Sequence, residues 1–353
     1  MPTHKNTVLD LFCGCGGLSK GFEEAGYDIL AGVDFDRPAL DTFNKNHRSA
    51  QGLQLDLSQQ DAFDVIDARL GGRALDVIVG GPPCQGFSLT GTRNFDDKRN
   101  QLYLAVMELV RRHAPKAFLI ENVPGMANLY NGTVRDEIVR RFSEMGYKVS
   151  HKVVCAADYG VPQIRKRLVF VGLRASASPY EFPQPYVEAK DYVTSEQAIS
   201  DLPALADSLG EEVSAYDKSP CNDFQRLMRG DCTVLYNHSS INHRDFVKET
   251  IALVPDGGNY KDLPPGVGES RNFHMAWTRL NSKSPARTVD TGHRNLFHYK
   301  YNRCPTVRES ARIQTFPDDF VFVGTRGQQN RQVGNAVPVL MAKALASQLL
   351  EYL

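Results

Sequence analysis

The chain has 353 residues, 42% of them hydrophobic, and 41 Lys and Arg against 41 Asp and Glu, giving a formal net charge of zero. That length and apolar share support a large core, divided between two domains rather than one, and exclude a disordered or low-complexity chain. Seven cysteines at irregular spacing do not form a disulfide framework, and without an uninterrupted apolar run of membrane length or an apolar signal core the expectation is a cytoplasmic protein.

Residues 8–12 read as a strand running into Gly14-Cys15-Gly16-Gly17, with an amphipathic helix over 18–25. Strand, glycine turn and helix form a cradle in which backbone N–H groups approach a ligand. A dinucleotide fingerprint needs a third glycine where Ser19 stands, which disfavours NAD. Cys13 and Cys15 are read as packing residues of the turn. A second strand over 29–33 ends at Asp34, where a carboxylate meets ribose hydroxyls, and Phe35 beside it offers a face to adenine. A solvated strand-end Asp and a core Phe are the alternatives.

A helix fills 61–70 and a strand 75–79, followed by Pro82-Pro83-Cys84-Gln85-Gly86-Phe87-Ser88. The prolines end the strand and the glycines around them leave room for a ring, so Cys84 stands as a nucleophile; the alternative is a small buried hydrophobe. Residues 85–100 mix glycines with Arg93, Lys98 and Arg99 without periodicity and read as a mobile lid. After a helix over 101–112, a strand over 118–121 ends at Glu121, a proton donor by position or else a turn cap. A helix over 134–145 and strands over 149–154 and 168–172 follow. Arg165 and Arg167 alternate with Ile164, Lys166 and Leu168, which predicts one shared face.

This alternation predicts a doubly wound, mostly parallel α/β sheet. After residue 174 periodicity weakens and turn residues rise, so a smaller, irregular, β-rich domain is expected. Cys221, Cys232, His238 and His243 match no zinc-finger spacing, and no metal is expected. Between 271 and 343 stand 12 Lys and Arg against 4 Asp and Glu, a balance of +8 that predicts a locally basic face for phosphates. A closing helix from 335 to about 350 carries the stripe Val339, Leu340, Ala342, Leu345 and Leu349, with Asn335 as its N-cap.

The ordered set Phe12-x-Gly14-x-Gly16-Gly17, Pro82-Pro83-Cys84-Gln85, Glu121-Asn122-Val123, Gln163-x-Arg165-x-Arg167, Arg308-Glu309-Ser310-Ala311-Arg312-x-Gln314-x-Phe316-Pro317 and Gly334-Asn335-Ala336-Val337-Pro338 resembles the bacterial DNA (cytosine-5) methyltransferases, of the restriction-modification type. The motifs span nearly the whole chain, except about 173–283. The resemblance implies the Rossmann-like fold of S-adenosylmethionine-dependent methyltransferases. It further implies a catalytic and cofactor-binding domain over 1–178, a target-recognition domain over 179–324, and a segment over 325–353 packing back on the first.

The implied reaction moves a methyl group from S-adenosyl-L-methionine to carbon 5 of a cytosine flipped out of a specific double-stranded DNA sequence. Carbon 5 is a poor nucleophile, and a Cys84 thiolate added at carbon 6 would push electron density onto it. By resemblance Glu121 relieves charge at N3, Arg165 contacts the base carbonyl and Arg167 supports it. Phe12, Gly14, Gly16, Asp34, Phe35, Asp56, Pro82 and Asn335 are carried over to the cofactor, Asp56 at the adenine amino group and Asn335 near the methionine part. Arg226, Arg229, Asn237, Arg244, Asn272, Arg279 and Arg294 are candidate readers of base edges. A monomer is expected, with a cognate restriction endonuclease as functional partner. Two other classes stay open here: an RNA cytosine-5 methyltransferase on the same scaffold, and a DNA-binding regulator without catalysis, which the presence of Cys84 and Glu121 disfavours.

Overall fold

The computed structural model describes residues 5–83, 101–174, 178–206, 208–269, 271, 273, 275–292 and 295–353. Cys84, the stretch 85–100 read as a lid, Asn272 and Arg294 lie outside the described residues. The chain runs through β1 (Thr7–Leu11), α1 (Gly17–Glu24), β2 (Asp28–Asp34), α2 (Arg37–Asn46), β3 (Gln51–Gln54), α3 (Asp61–Leu70) and β4 (Val77–Gly80). It continues through α4 (Gln101–His113), β5 (Ala117–Asn122), α5 (Thr133–Glu144), β6 (Tyr147–Cys155), β7 (Gln163–Ile164) and β8 (Lys166–Arg174). Then come α6 (Ser195–Ile199), β9 (Val213–Ala215), α7 (Asp223–Arg229), β10 (Val234–Tyr236), α8 (Asp245–Ala252), β11 (Thr278–Arg279), β12 (Ala286–Arg287) and β13 (Leu296–Phe297). The last elements are α9 (Val307–Ile313), α10 (Arg326–Asn335) and α11 (Val339–Leu350).

Two compact units result. The first holds residues 1–155, 166–184 and 341–353; the second holds 156–165 and 185–340. In the first, seven strands form one sheet in the order β3-β2-β1-β4-β5-β8-β6. The five strands from β3 to β5 are mutually parallel, and β8 pairs antiparallel with both β5 and β6. Successive residues of β2 show why both faces are covered. Ala31 and Val33 join the core formed by Phe63 and Ile66 of α3, Val106 and Val110 of α4, and Ile138 and Phe142 of α5. Gly32, between them, faces the other way, and a Cβ there would lie 2.5 Å from the Phe43 ring of α2.

The expected strands and helices of the first 174 residues are present; β3, α2 and the two-residue β7 are additional. Pro38 in the first turn of α2 supplies a pre-set φ without loss of a helix hydrogen bond. The closing helix differs from expectation. It is two helices, broken at 336–338, and Asn335 is the last residue of α10 rather than the N-cap of α11. Pro338 accounts for the break, because its ring cannot continue a helix across that point. Residues 326–350 contain an 18-residue stretch apolar enough to cross a membrane, but 61% of that stretch is buried within the fold. In the first unit, Tyr27 and Tyr180 donate hydroxyl hydrogen bonds to the α11 carbonyls of Ala346 and Leu345.

The second unit has short strands and helices, and buried polar side chains bind them together. Thr194, Thr306 and Thr325 begin α6, α9 and α10 with reciprocal capping boxes to Gln197, Glu309 and Gln328. Each satisfies two backbone donors that a short helix end would otherwise leave unpaired.

Candidate active site

Pairing in the parallel sheet sets Leu11 beside Val33 and Gly80, and Gly80 beside Ile120. These four residues form one row. The next residues along their strands are Phe12, Asp34, Gly81 and Glu121, so four chemistry-bearing segments leave the sheet at one carboxyl edge. β3 adds Asp56 two residues beyond its end. The order reverses direction between β1 and β4, the switch point at which open α/β sheets bind ligands.

The turn after β1 is tightly determined. Phe12 has φ 59°, unusual for a residue with a side chain, and Cys13 N–H donates to Val33 carbonyl at 3.0 Å immediately after it. Gly16 has φ 97°, and a Cβ there would fall 2.1 Å from Nε2 of His47. His47 is buried beneath the turn, stacked on Phe43, with Nδ1 2.9 Å from Glu23 Oε1. Gly14 is different, since a Cβ there would meet no atom of the described residues within 4 Å. Its N–H donates to Asp34 Oδ2 at 2.8 Å, while Asp34 Oδ1 accepts from Asp36 N–H at 2.9 Å. Burial raises the Asp34 carboxyl above the ordinary range, against the pull of these N–H groups. Phe35 is 75% exposed, a large apolar surface at a strand end. Asp56 is exposed and accepts from Ser58 N–H at 2.9 Å, and hydrogen bonds from Ser58 lower its carboxyl.

These residues suit an adenosine-bearing cofactor. Gly14 leaves space among the described residues, Asp34 retains lone pairs for hydroxyls, and Phe35 presents a bare face.

Asp10 was not a sequence candidate. It is buried at the end of β1, where Ser19 hydroxyl donates to Oδ2 at 2.6 Å, and its Oδ1 has no hydrogen-bond partner among the described residues. Burial pushes its carboxyl up to about 7. Burial also raises the thiols of Cys13 and Cys15, so both pack as inert residues of the turn.

At the β4 and β5 ends, Asn122 Nδ2 donates to the Pro82 carbonyl at 2.8 Å and Asn122 Oδ1 accepts from Val123 N–H at 2.8 Å. The segment entering Cys84 is thereby tied to the end of β5. A Cβ on Gly81 would lie 3.2 Å from Glu121 Oε2, so the carboxyl rests against the strand three residues before Cys84. Glu121 Oε1 is 2.5 Å from Arg167 Nε, with both side chains mostly buried. Register explains the pair: Asn122 faces Leu168 across β5 and β8, which puts Arg167 at the end of β5. Glu121 thus stands as the anionic half of an ion pair. Asn122, with no role in the sequence reading beyond its motif, is the hydrogen-bonding link between the two segments.

Arg165, in the second unit, is only 2% exposed, and its Nη2 donates to the Gly334 carbonyl at 3.0 Å. It lies between β7 and β8 rather than within one strand. Arg165 and Arg167 therefore make different contacts, to Gly334 and Glu121 respectively. Asn335 is exposed, next to Gly334, whose backbone approaches so closely that a Cβ would be 2.3 Å from the Asp290 carbonyl.

Several expected DNA contacts are structural instead. Arg229 pairs with Asp201 at 2.5 Å and stacks on Tyr216. Asn237 donates to the Phe322 carbonyl and accepts from Phe322 N–H. Arg279 donates to the carbonyls of Val254, Ile251 and His298. Arg303, Arg308 and Arg312 are also buried. Four of the twelve cations behind the expected basic face thus serve the interior. Arg226 and Arg244 remain exposed. Among the described residues no group of three His, Cys, Asp or Glu is arranged to hold a metal; His238 bonds Thr306 and Pro203, and His243 accepts from Cys304 N–H.

The sequence profile described as C-5 cytosine-specific DNA methylase matches residues 6–351. The Type II methyltransferase M1.HphI of Haemophilus parahaemolyticus is 38% identical, over 98% of this chain and 87% of its own length. The Type II methyltransferase M.DdeI of Desulfomicrobium norvegicum is 35% identical, over 98% and 88%. Among solved structures, a putative DNA modification methyltransferase encoded within a prophage of E. coli superposes with a TM-score of 0.82 at 30% identity, over 99% of both chains. The S. pombe Dnmt2 methyltransferase, at 16% identity and a TM-score of 0.61 over 99% of both chains, shares the fold.

Proposed function

Since the chain belongs to the C-5 cytosine-specific DNA methylase family and is a DNA (cytosine-5-)-methyltransferase of restriction-modification type, we propose that it works on a cytosine swung out of double-stranded DNA and bonded transiently to Cys84. The observation that carries this reading is the single carboxyl edge from which Phe12, Asp34, Pro82 and Glu121 emerge. Extrusion of the base costs a few kcal/mol in pairing and stacking, which protein contacts must offset.

The Cys84 thiolate adds to carbon 6, forming the C–S bond and placing charge on the ring. Glu121, which takes up a proton from solvent as the base binds, passes it to N3 to relieve this charge, and Arg167, already paired with it, fixes the carboxyl's direction. Arg165 meets the carbonyl oxygen of the base. S-adenosyl-L-methionine, when bound, supplies the electrophilic methyl group that carbon 5 takes. A base, solvent water or a side chain, takes the carbon-5 proton; the C–H pair re-forms the ring double bond as the C–S pair leaves on sulfur, and N3 returns its proton to Glu121, which frees the product. Phe12, Gly14 and Gly16 shape the cofactor cradle, Asp34 takes its ribose hydroxyls, and Phe35 and Asp56 meet its adenine. Pro82 stands at the reacting end, and Asn335 stands at the methionine part.

Residues 179–324 read the target sequence, with Arg226 and Arg244 the described exposed candidates. The enzyme acts as a cytoplasmic monomer whose methylation protects DNA from a cognate restriction endonuclease. Transfer of labelled methyl into DNA and transfer RNA, assayed side by side with Cys84→Ser, tests the reading. Incorporation into DNA alone, lost in the variant, is expected; incorporation into transfer RNA alone, or unchanged transfer by the variant, contradicts it.

A further inference from the structure

Gln314 makes more directed contacts than its place in a buried helix end requires. Its Oε1 accepts from Gln163 Nε2 at 2.7 Å, and its Nε2 donates to the Val333 and Ala336 carbonyls at 2.7 and 3.1 Å. Its own carbonyl accepts from Val339 N–H at 3.2 Å, and the adjacent Thr315 hydroxyl accepts from Leu340 N–H at 3.0 Å. These are the first two N–H groups of α11, donors that no helix satisfies internally. Thr315 holds φ 61° to make this contact, a costly backbone conformation for a residue with a side chain.

Gln163 completes the connection. Its Oε1 accepts from Val289 N–H at 2.9 Å, and it stands two residues before Arg165, which itself reaches the Gly334 carbonyl. Partners fix both amide orientations, since Val289 N–H can only donate and the Val333 and Ala336 carbonyls can only accept. The two glutamines and Thr315 are all buried.

We propose that Gln314, with Gln163 and Thr315, is a positioning clamp that sets Arg165 and Asn335 as one piece. The clamp holds the segment bearing Arg165 on one side and the α10–α11 break, where Asn335 ends α10, on the other. Packing alone would be served by an apolar side chain of the same volume. The amide adds direction, which a residue holding a base carbonyl needs to within a fraction of an ångström. The inference rests on the roles proposed above for Arg165 and Asn335.

The test uses the full-length enzyme with Gln314→Met, which keeps volume without polarity, and Gln314→Glu, which turns a donor into an acceptor facing two carbonyls. Three quantities are read: kcat and KM on target DNA, calorimetric affinity for S-adenosylhomocysteine, and the thermal midpoint. Gln314→Met is expected to stay folded, lose about ten- to a hundredfold in kcat and about tenfold in affinity, and Gln314→Glu to lose more of both. In double-mutant cycles Gln314→Met should add less than about twofold in kcat to Arg165→Ala, and less than about twofold in affinity to Asn335→Ala. Should Gln314→Met fail to fold, Gln163→Met, which leaves the bonds to α10 in place, is expected to show the same coupling to Arg165→Ala. Full additivity in both cycles, or a lowered midpoint with unchanged kcat and affinity, overturns the clamp alone. Silent Arg165→Ala and Asn335→Ala variants overturn the roles assigned to those side chains and the clamp with them.

Discussion

In the first unit the residues that carry chemistry stand just past strand ends, while in the second many charged residues are buried and satisfied by one another. Phe35 is 75% exposed, and no atom of the described residues stands within 4 Å of where a Gly14 Cβ would lie. Arg308 and Arg312, by contrast, are fully buried. Arg312 holds Asp318 by two bonds of 2.7 and 2.6 Å and Asp201 by another of 2.8 Å; Arg303 holds Glu309 by two of 2.7 Å. The difference teaches that charge in a motif has two uses. An arginine at a strand end can meet a ligand, whereas one inside an irregular domain replaces the ladder that long strands would provide.

The largest test of this contrast lies in the second unit. Arg312→Met should cost about 3–5 kcal/mol of stability, because Asp318 and Asp201 keep their charge in a buried site. Urea titration checks this, and a loss below about 1 kcal/mol would mean that the network is not structural. Glu121→Gln, in the first unit, leaves Arg167 with an uncharged partner but also with its bond to the Lys166 carbonyl, so it should cost less stability, about 1 kcal/mol, and lower kcat by about a hundredfold. Equal losses of stability in both variants would erase the distinction.

Gly16→Ala sharpens the first side of the comparison. The new Cβ must displace His47 and adopt a strained φ, so cofactor affinity should fall about tenfold while Gly72→Ala, with open space but also a positive φ, leaves it unchanged. Calorimetric titration with S-adenosylhomocysteine distinguishes the two.

The smallest effect is in pH. Burial opposes the charge of Glu309 and of Asp318, yet Arg303 and Arg312 hold both carboxyls below the usual range. A depressed carboxyl contributes stability that is present above its unfolded value, about 4, and is lost as pH falls through the folded value. Asp10 has the opposite sign. Its folded value of about 7 means that the native state binds more protons than the unfolded one between about pH 4 and 7, so its contribution declines as pH rises through that window. Asp10→Asn should therefore flatten the slope between about pH 4 and 7, and Glu309→Gln the slope below about 4, in urea midpoints measured across pH.

The first unit was legible because periodicity and punctuation agree there. Strands ending in Asp34, Pro82 and Glu121 announce themselves by an apolar run followed by a polar or proline stop, and the parallel sheet puts those stops on one edge. The half-exposed strand β3 has no such run. Asn122 escaped because its partner is a carbonyl forty residues away, which no local pattern encodes. In the second unit, Arg229 and Arg279 have the composition of base readers, and only the Asp201 carboxylate and the Ile251 and Val254 carbonyls around them reveal their use. The capping threonines of α6, α9 and α10 were readable as T-x-x-E/Q, a signal that marks those helices better than their weak periodicity.

The most direct measurement incubates the enzyme with S-adenosyl-L-methionine and duplex DNA carrying 5-fluorocytosine at the target position. Fluorine cannot leave as the proton does, so the adduct should accumulate, resist denaturation and map to the peptide bearing Cys84. An adduct mapped to any other residue, or none on a target that is methylated when it carries cytosine, contradicts the account.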